Sequence, residues 1–368
     1  IRSLSSIINI KRDRPLNNYV SHIINIMVPN KKYQPPTIGE IRNTAKKIAP
    51  YVYNTPVVLW NSPESFKRFS IKTELFMKLE LFQKTGTFKA RAAINNVLAL
   101  SASEKRRGVT AISSGNHGIA TAYAASCFGI SAKVVMLKTT NLDRIKKAKA
   151  FGAEILIADD GATGFEMAKN IAEKEGKTFI HPFEGYNVTS ATATCGLELH
   201  EFVKDLDAVI VPVGGGGLCS GVSIVTKLIN SSCKVYAVEP EGNQIMSKSL
   251  AAGKPQSTNK ANTIADSLAP PMITPYCFAM CQHSIDEIVL VTDDELAAAA
   301  TILFSEMKLA LEPAGAASTA GALGPLKNRI KDKKVGVVVC GTNTDPNSYK
   351  KLISQGMRSL KSGVFCSD

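Results

Sequence analysis

The stretch Ala208-Val209-Ile210-Val211-Pro212-Val213 constrains this chain most, because it is apolar throughout and runs straight into Gly214, Gly215, Gly216 and Gly217. A strand with no polar face has to be covered on both sides, as happens inside a parallel sheet wrapped by helices. From about residue 37 the rest of the sequence repeats the theme. Short β-branched runs (56–60, 74–79, 109–113, 132–136, 154–157, 234–238, 287–291 and 334–340) alternate with helical patterns such as 89–100, 116–127, 142–151, 163–175, 293–307 and 315–326. This alternation predicts an α/β chain built on open, twisted, mostly parallel sheets. In such sheets ligands lie beyond the carboxyl ends of the strands, so the strand-to-helix turns are where chemistry is expected.

Composition narrows the function classes. A length of 368 residues suggests two domains, and 45% hydrophobic with 20% charged residues suits a globular core rather than disorder. The longest apolar stretch, Ala120 to Leu137, is broken by Ser126 and Lys133, so no membrane span is expected. The 8 cysteines are scattered, without a C-x-x-C pair or a metal-ligand spacing, which points to a reduced, cytoplasmic setting. The net charge is +13, of which +5 falls in residues 1–34. That basic segment resembles a transit peptide loosely, which leaves mitochondrial or other organellar targeting open. Elsewhere the charge is diffuse. The runs Lys105-Arg106-Arg107 and Arg144 to Lys149 read as solvated helix faces, and no aromatic-basic interleaving suggests a nucleic-acid partner.

Three turns carry candidate chemistry. Gly214 to Gly217 would present consecutive N–H groups at a helix start, an anion cradle that lacks both the dinucleotide fingerprint and the Gly-Lys-Ser/Thr of a nucleotide loop. A monophosphate fits it best. Ser113-Ser114-Gly115-Asn116-His117-Gly118 offers hydroxyls, an amide and helix-terminal N–H groups suited to a carboxylate. In Gln83 to Arg91, Lys89 stands at a helix start, where desolvation and the helix dipole favour a neutral amine able to condense with an aldehyde. Singly, each has an ordinary structural explanation: a flexible turn, a capped helix, a solvated lysine. Together they form the parts list for pyridoxal phosphate acting on an amino acid.

The residues also carry a resemblance. T-G-T-F-K-A-R-A-A (85–93), S-S-G-N-H-G (113–118), V-G-G-G-G-L (213–218), L-E-P-A-G-A (311–316) and V-V-C-G-T-N (338–343) stand in the order and spacing of the serine/threonine dehydratase and serine racemase family. The similarity spans roughly residues 37–355. It implies a fold-type-II, tryptophan-synthase-β-like enzyme of two domains: a basic extension over 1–36, a large pyridoxal-phosphate domain over 37–107 and 187–355, a small inserted domain over 108–186 and a tail over 356–368. By this resemblance Lys89 is the Schiff-base lysine and Phe88 packs on the cofactor ring. Asn116 meets the cofactor's phenolic oxygen, Gly214, Gly215, Gly216 and Gly217 its phosphate, and Cys340 its pyridine nitrogen, with Glu312 close by. Ser113, Ser114, Asn116 and His117 receive the substrate carboxylate.

The implied activity is L-serine/L-threonine ammonia-lyase, giving a 2-oxo acid and ammonia by α,β-elimination, with a homodimer as the assembly. Ser114 would face the intermediate opposite Lys89 and could return a proton there. A serine or aspartate-type racemase, or a hydroxyaspartate dehydratase, is therefore the alternative. A catalytically weakened amino-acid-binding protein is a further one, because glycines usual in the family are replaced by Ala92, Ala191, Ala193 and Ser267, side chains expected to narrow the pocket. The racemases' divalent-cation site (Mg or Ca) matches at Glu239 alone, Ile245 standing where an aspartate belongs, so no resident metal is expected.

Overall fold

The computed structural model describes residues 7–9, 33–113, 115–258 and 260–365. Its strands are β1 (Ile7–Asn9), β2 (Val57–Leu59), β3 (Glu74–Leu79), β4 (Val109–Ser113), β5 (Ala132–Leu137), β6 (Glu154–Ala158), β7 (Thr178–Phe179), β8 (Ala208–Pro212), β9 (Lys234–Pro240), β10 (Glu287–Val291) and β11 (Lys334–Val339). They form a seven-stranded sheet in the order β1-β10-β9-β8-β11-β3-β2 and a four-stranded sheet in the order β6-β5-β4-β7. The inner pairs of the larger sheet are parallel and its edge pairs, β1 with β10 and β2 with β3, antiparallel. The smaller sheet is parallel throughout. The apolar run that opened the sequence reading is β8, buried at every residue and flanked by β9 and β11.

In both sheets the chain builds outward from one strand and then crosses back to that strand's other side, which makes a topological switch point. In the larger sheet it lies between β8 and β11, and in the smaller between β4 and β7. Crevices form at the carboxyl ends of strands at such points. The tetraglycine follows β8, Cys340 follows β11, Ser113 ends β4 and Ile180 follows β7.

Seven helices position the site: α1 (Lys89–Leu98), α2 (Asn116–Cys127), α3 (Leu142–Ala150), α4 (Tyr186–Phe202), α5 (Gly217–Ile229), α6 (Ile245–Ala252) and α7 (Pro275–Ser284). The expected narrowing of the pocket by side chains at glycine positions is corrected here for the alanines. Ala92 and Ala191 pack with Val188 between α1 and α4, and Ala193 packs with Ile41, Leu197 and Val225. Their methyl groups fill helix–helix contacts. The reading of the Arg144–Lys149 run as a solvated face is corrected too: Lys146, Lys147 and Lys149 are exposed, but Arg144 is 8% exposed and points inward. The seven described cysteines are free thiols, and among the described residues no helix is long and apolar enough to cross a membrane.

A buried ionic cluster anchors α1 from behind. Arg91 donates to both oxygens of Glu80 at 2.7 and 2.8 Å, to Glu198 at 2.6 and 2.7 Å, and to Thr194 at 3.0 Å. Lys78 completes it with a 2.5 Å bond to Glu198, so two cations and two carboxylates neutralise one another beneath the helix that begins at Lys89.

Candidate active site

Lys89 opens α1, and the residues before it are pinned to the end of β11. The Phe88 N–H donates to the Cys340 carbonyl at 3.3 Å, and the Thr342 N–H to the Gly86 carbonyl at 2.9 Å. The Lys89 Nζ donates to the Pro182 carbonyl at 2.5 Å and lies 5.0 Å from the centre of the Phe88 ring. Burial of the amine lowers its pKa from 10.5 to about 8, against the opposing pull of Cys277, Cys340 and Glu312. A buried ammonium loses its hydration shell, so the neutral, nucleophilic form becomes accessible near neutral pH.

Two helix N-termini flank this amine, and neither carries a side-chain cap. At α5 the N-cap is Gly216, with φ of 91°. Ser220 is the first N–H of this stretch to find a backbone partner, at Gly216, and the N–H groups from Gly214 to Cys219 meet no acceptor among the described residues. A Cβ on Gly215 would stand 2.5 Å from the Phe183 ring, so the loop needs glycine there to pass beneath that ring. Thr192 Oγ1 on α4 steadies the loop through a 2.7 Å bond to the Gly217 carbonyl. At α2 the N-cap is Gly115, with φ of 155°, whose N–H donates to Ser113 Oγ at 2.9 Å. The N–H groups of Asn116, His117 and Gly118 likewise meet no acceptor among the described residues. Orphan N–H groups at the positive end of a helix dipole are anion sites. Ser114 lies outside the described residues.

A third N-terminus, at α7, is already occupied: Glu184 accepts from the N–H groups of Tyr276 and Cys277 at 3.0 and 3.3 Å. The segment between β7 and α4 therefore crosses the site with Pro182 on Lys89, Phe183 over Gly215 and Glu184 on α7. His181 in the same segment accepts the Phe183 and Glu184 N–H groups on Nδ1 at 3.3 and 2.9 Å. Burial, and then the charge of Lys89, lower its pKa to about 4. His117 spends Nε2 on the Ile180 carbonyl at 2.8 Å, and the same two causes lower its pKa to about 3. Both rings are neutral at physiological pH, so neither is an ammonium-like counter-charge to a substrate.

Asn116 sits at the centre of a polar knot. Its Nδ2 donates to Glu312 at 2.7 Å and to Ser267 Oγ at 3.0 Å, while its Oδ1 accepts from Asn343 at 2.8 Å. Of the residues replacing a family glycine, only Ser267 reaches this knot. Glu312 is 1% exposed; burial raises its pKa from 4.5 to about 7, with Arg144 acting against the rise. Cys340 Sγ donates to the Ala314 carbonyl at 3.3 Å, and burial pushes the thiol well above its ordinary range, so it is neutral. Glu239 lies elsewhere: it accepts from the Met246 and Ser247 N–H groups at 2.6 and 3.0 Å and from the Ser247 hydroxyl at 2.5 Å, capping α6. Its oxygens are committed to that helix end. No cluster of three or more His, Cys, Asp or Glu arranged for a metal occurs among the described residues.

A run of consecutive orphan N–H groups, a glycine where a side chain would fill the cradle and a lysine lowered toward neutrality fit a phosphorylated aldehyde. A family profile described as pyridoxal-phosphate dependent enzyme matches residues 48–341. The chain belongs to this family. This pyridoxal-phosphate-dependent enzyme is 42% identical to a phenylserine dehydratase of Ralstonia pickettii over 87% of its own length and 97% of that protein. The structure of maize serine racemase superposes with a TM-score of 0.81 at 33% identity, covering 88% of this chain and 99% of that one. The processed form of threonine deaminase isoform 2 from Solanum lycopersicum gives 0.80 at 30% identity, covering 89% and 96%. The enzyme is thus a type II fold member of the dehydratase and racemase group.

Arg144, Asn343, Pro182, His181 and Thr192 were missed as site residues by the sequence reading. Asn343 ends the V-V-C-G-T-N motif, so that match carried the signal for it. Pro182 contributes only a backbone carbonyl, which no side-chain pattern announces.

Proposed function

We propose that this enzyme is an ammonia-lyase for L-3-hydroxy amino acids, acting on L-serine, L-threonine and larger 3-substituted homologues. The observation that carries the reading is the position of the Lys89 amine, its pKa lowered to about 8, between two uncapped helix N-termini. One cradle suits a phosphate and the other a carboxylate, and the amine between them suits the α-carbon of an amino acid.

Bound pyridoxal phosphate would supply an electrophilic carbonyl and a sink for the electrons of the substrate's Cα–H bond. The N–H groups from Gly214 to Cys219 would hold its phosphate, Phe88 would pack on its ring, and Asn116 would serve its phenolic oxygen. Cys340, a neutral thiol close to Glu312, would serve the ring nitrogen. A thiol that stays protonated would not give that nitrogen a full positive charge.

The N–H groups of Asn116, His117 and Gly118, with Ser113 and Ser114, hold the substrate carboxylate. That grip directs the Cα–H bond toward Lys89. Neutral Lys89 accepts the proton, a step for which positioned general-base help is worth about 10²–10⁴ in rate. Loss of water from Cα and Cβ, followed by hydrolysis of the resulting imine, gives the 2-oxo acid and ammonia.

Aromatic rings extend from this point. Phe183, His181, Phe179 and Phe165 stand edge to face, with centroids 4.7, 6.0 and 5.8 Å apart along the series. Phe183, which lies over Gly215, together with the similarity to a phenylserine dehydratase, supports a site that tolerates an aromatic 3-substituent. The similarity to serine racemases and the identity of Ser114 support a second activity, proton return to the opposite face with release of D-amino acid.

Steady-state kinetics over L-serine, L-threonine and L-threo-3-phenylserine tests the reading. Each should yield a 2-oxo acid, and Phe183→Ala should reduce kcat/KM for phenylserine more than for serine. Absence of oxo acid from all three would refute the lyase assignment.

A further inference from the structure

Arg144 is the one buried member of a basic run, and its guanidinium reaches three residues on the loops of the seven-stranded sheet. Its Nε donates to the Asn343 carbonyl at 2.9 Å, its Nη2 to Glu312 at 3.2 Å, and its Nη1 forms an ion pair with Asp266. Arg144 itself belongs to α3, the helix that follows β5 of the four-stranded sheet. Its stem crosses the carboxylate loop so closely that a Cβ on Gly115 would overlap the Arg144 Cδ.

The two groups that Arg144 touches beside the site are the two that grip Asn116. Glu312 takes Arg144 on one oxygen and Asn116 Nδ2 on the other. Asn343 gives its carbonyl to Arg144 and its side-chain amide to Asn116 Oδ1. A planar, five-donor guanidinium fixes its partners in a set geometry, which a point-charge ammonium does not.

We propose that Arg144 is a positioning residue that clasps the four-stranded sheet's unit to the seven-stranded sheet's unit through Glu312 and Asn343, and thereby sets the Asn116 amide beside Lys89. The inference rests on the reading of Lys89 and its surroundings as the active site. The charged and titratable groups facing Glu312 are Arg144 and Lys147 of α3, Asp266, Lys89 and Cys340. With Arg144 removed, the buried Glu312 loses its bonded cation and takes up a proton at higher pH. Asn116 then faces a neutral acid in place of a carboxylate.

The test uses the full-length chain, with and without pyridoxal phosphate, as wild type, Arg144→Ala and Arg144→Lys. In the cofactor-free chain, Arg144→Ala should speed amide hydrogen exchange across Leu142–Ala150 about tenfold or more, because the clasp limits local opening. In the holoenzyme it should lower kcat by about tenfold or more while KM changes less, since a misplacement well short of the chemistry costs that much. Added guanidinium ion should recover part of the lost kcat in Arg144→Ala and none in Lys89→Ala. Arg144→Lys, which keeps the charge and loses the fork, should fall between wild type and alanine. Exchange and kcat within about twofold of wild type would overturn the clasp, as would a kcat loss that guanidinium leaves untouched. The exchange result is independent of turnover, so a wild-type enzyme inert toward 3-hydroxy amino acids would sink the proposed function and leave the clasp standing.

Discussion

The Nζ of Lys89 donates a 2.5 Å hydrogen bond to the Pro182 carbonyl, joining the start of α1 to the segment that returns from the four-stranded sheet. Because the amine's pKa is lowered to about 8, the neutral base is the minor form at pH 7 and the major form above pH 8. The rate should rise with pH through about 8 and level off. Lys89→Ala should reduce kcat by about 10² or more and abolish the visible absorbance of covalently held cofactor. A pH-independent rate between 6 and 9 would contradict the assignment of Lys89 as base.

Gly215→Ala places a methyl group 2.5 Å from the Phe183 ring. Either the ring or the loop has to move, and both border the phosphate cradle. The dissociation constant for pyridoxal phosphate should rise about tenfold or more, equivalent to roughly 1.4 kcal/mol. Fluorescence titration measures it, and an unchanged constant would remove the tetraglycine from the phosphate site.

Arg91→Met should destabilise the fold by about 3 kcal/mol or more, because it leaves Glu80 buried with its main cation gone. Urea unfolding should show a lower midpoint at an unchanged slope. An undiminished midpoint would mean that Lys78 alone neutralises the cluster.

Much of the fold was legible because periodicity and burial coincide. An all-apolar β8 followed by glycine could only be an interior strand, and the turns after β4, β8 and β11 fell where the motifs lie. Two short elements were not legible: β7, two residues long, has no periodicity to detect, and β1 falls in a leader read as an extension. The site was legible where a side chain or glycine pattern carries it, as at Lys89 and Gly214–Gly217. Arg144 was not, since a basic run on an amphipathic helix looks solvated until Asp266, Glu312 and Asn343 are brought to it from more than a hundred residues away.

Glu239 caps α6 with both oxygens, which leaves little lone-pair capacity for a hard cation. A chelator should therefore leave activity unchanged. Glu239→Ala should cost about 1–2 kcal/mol by freeing the α6 N–H groups. Chelator-sensitive turnover restored by Mg²⁺ or Ca²⁺ would show that a cation site lies elsewhere in the chain.

The most direct test of the central claim is the product balance from L-threonine. Holoenzyme should release ammonia and 2-oxobutanoate in equal amounts, and Lys89→Ala should release neither. Formation of D-amino acid or allo-threonine without oxo acid, or equal release by Lys89→Ala, would contradict it.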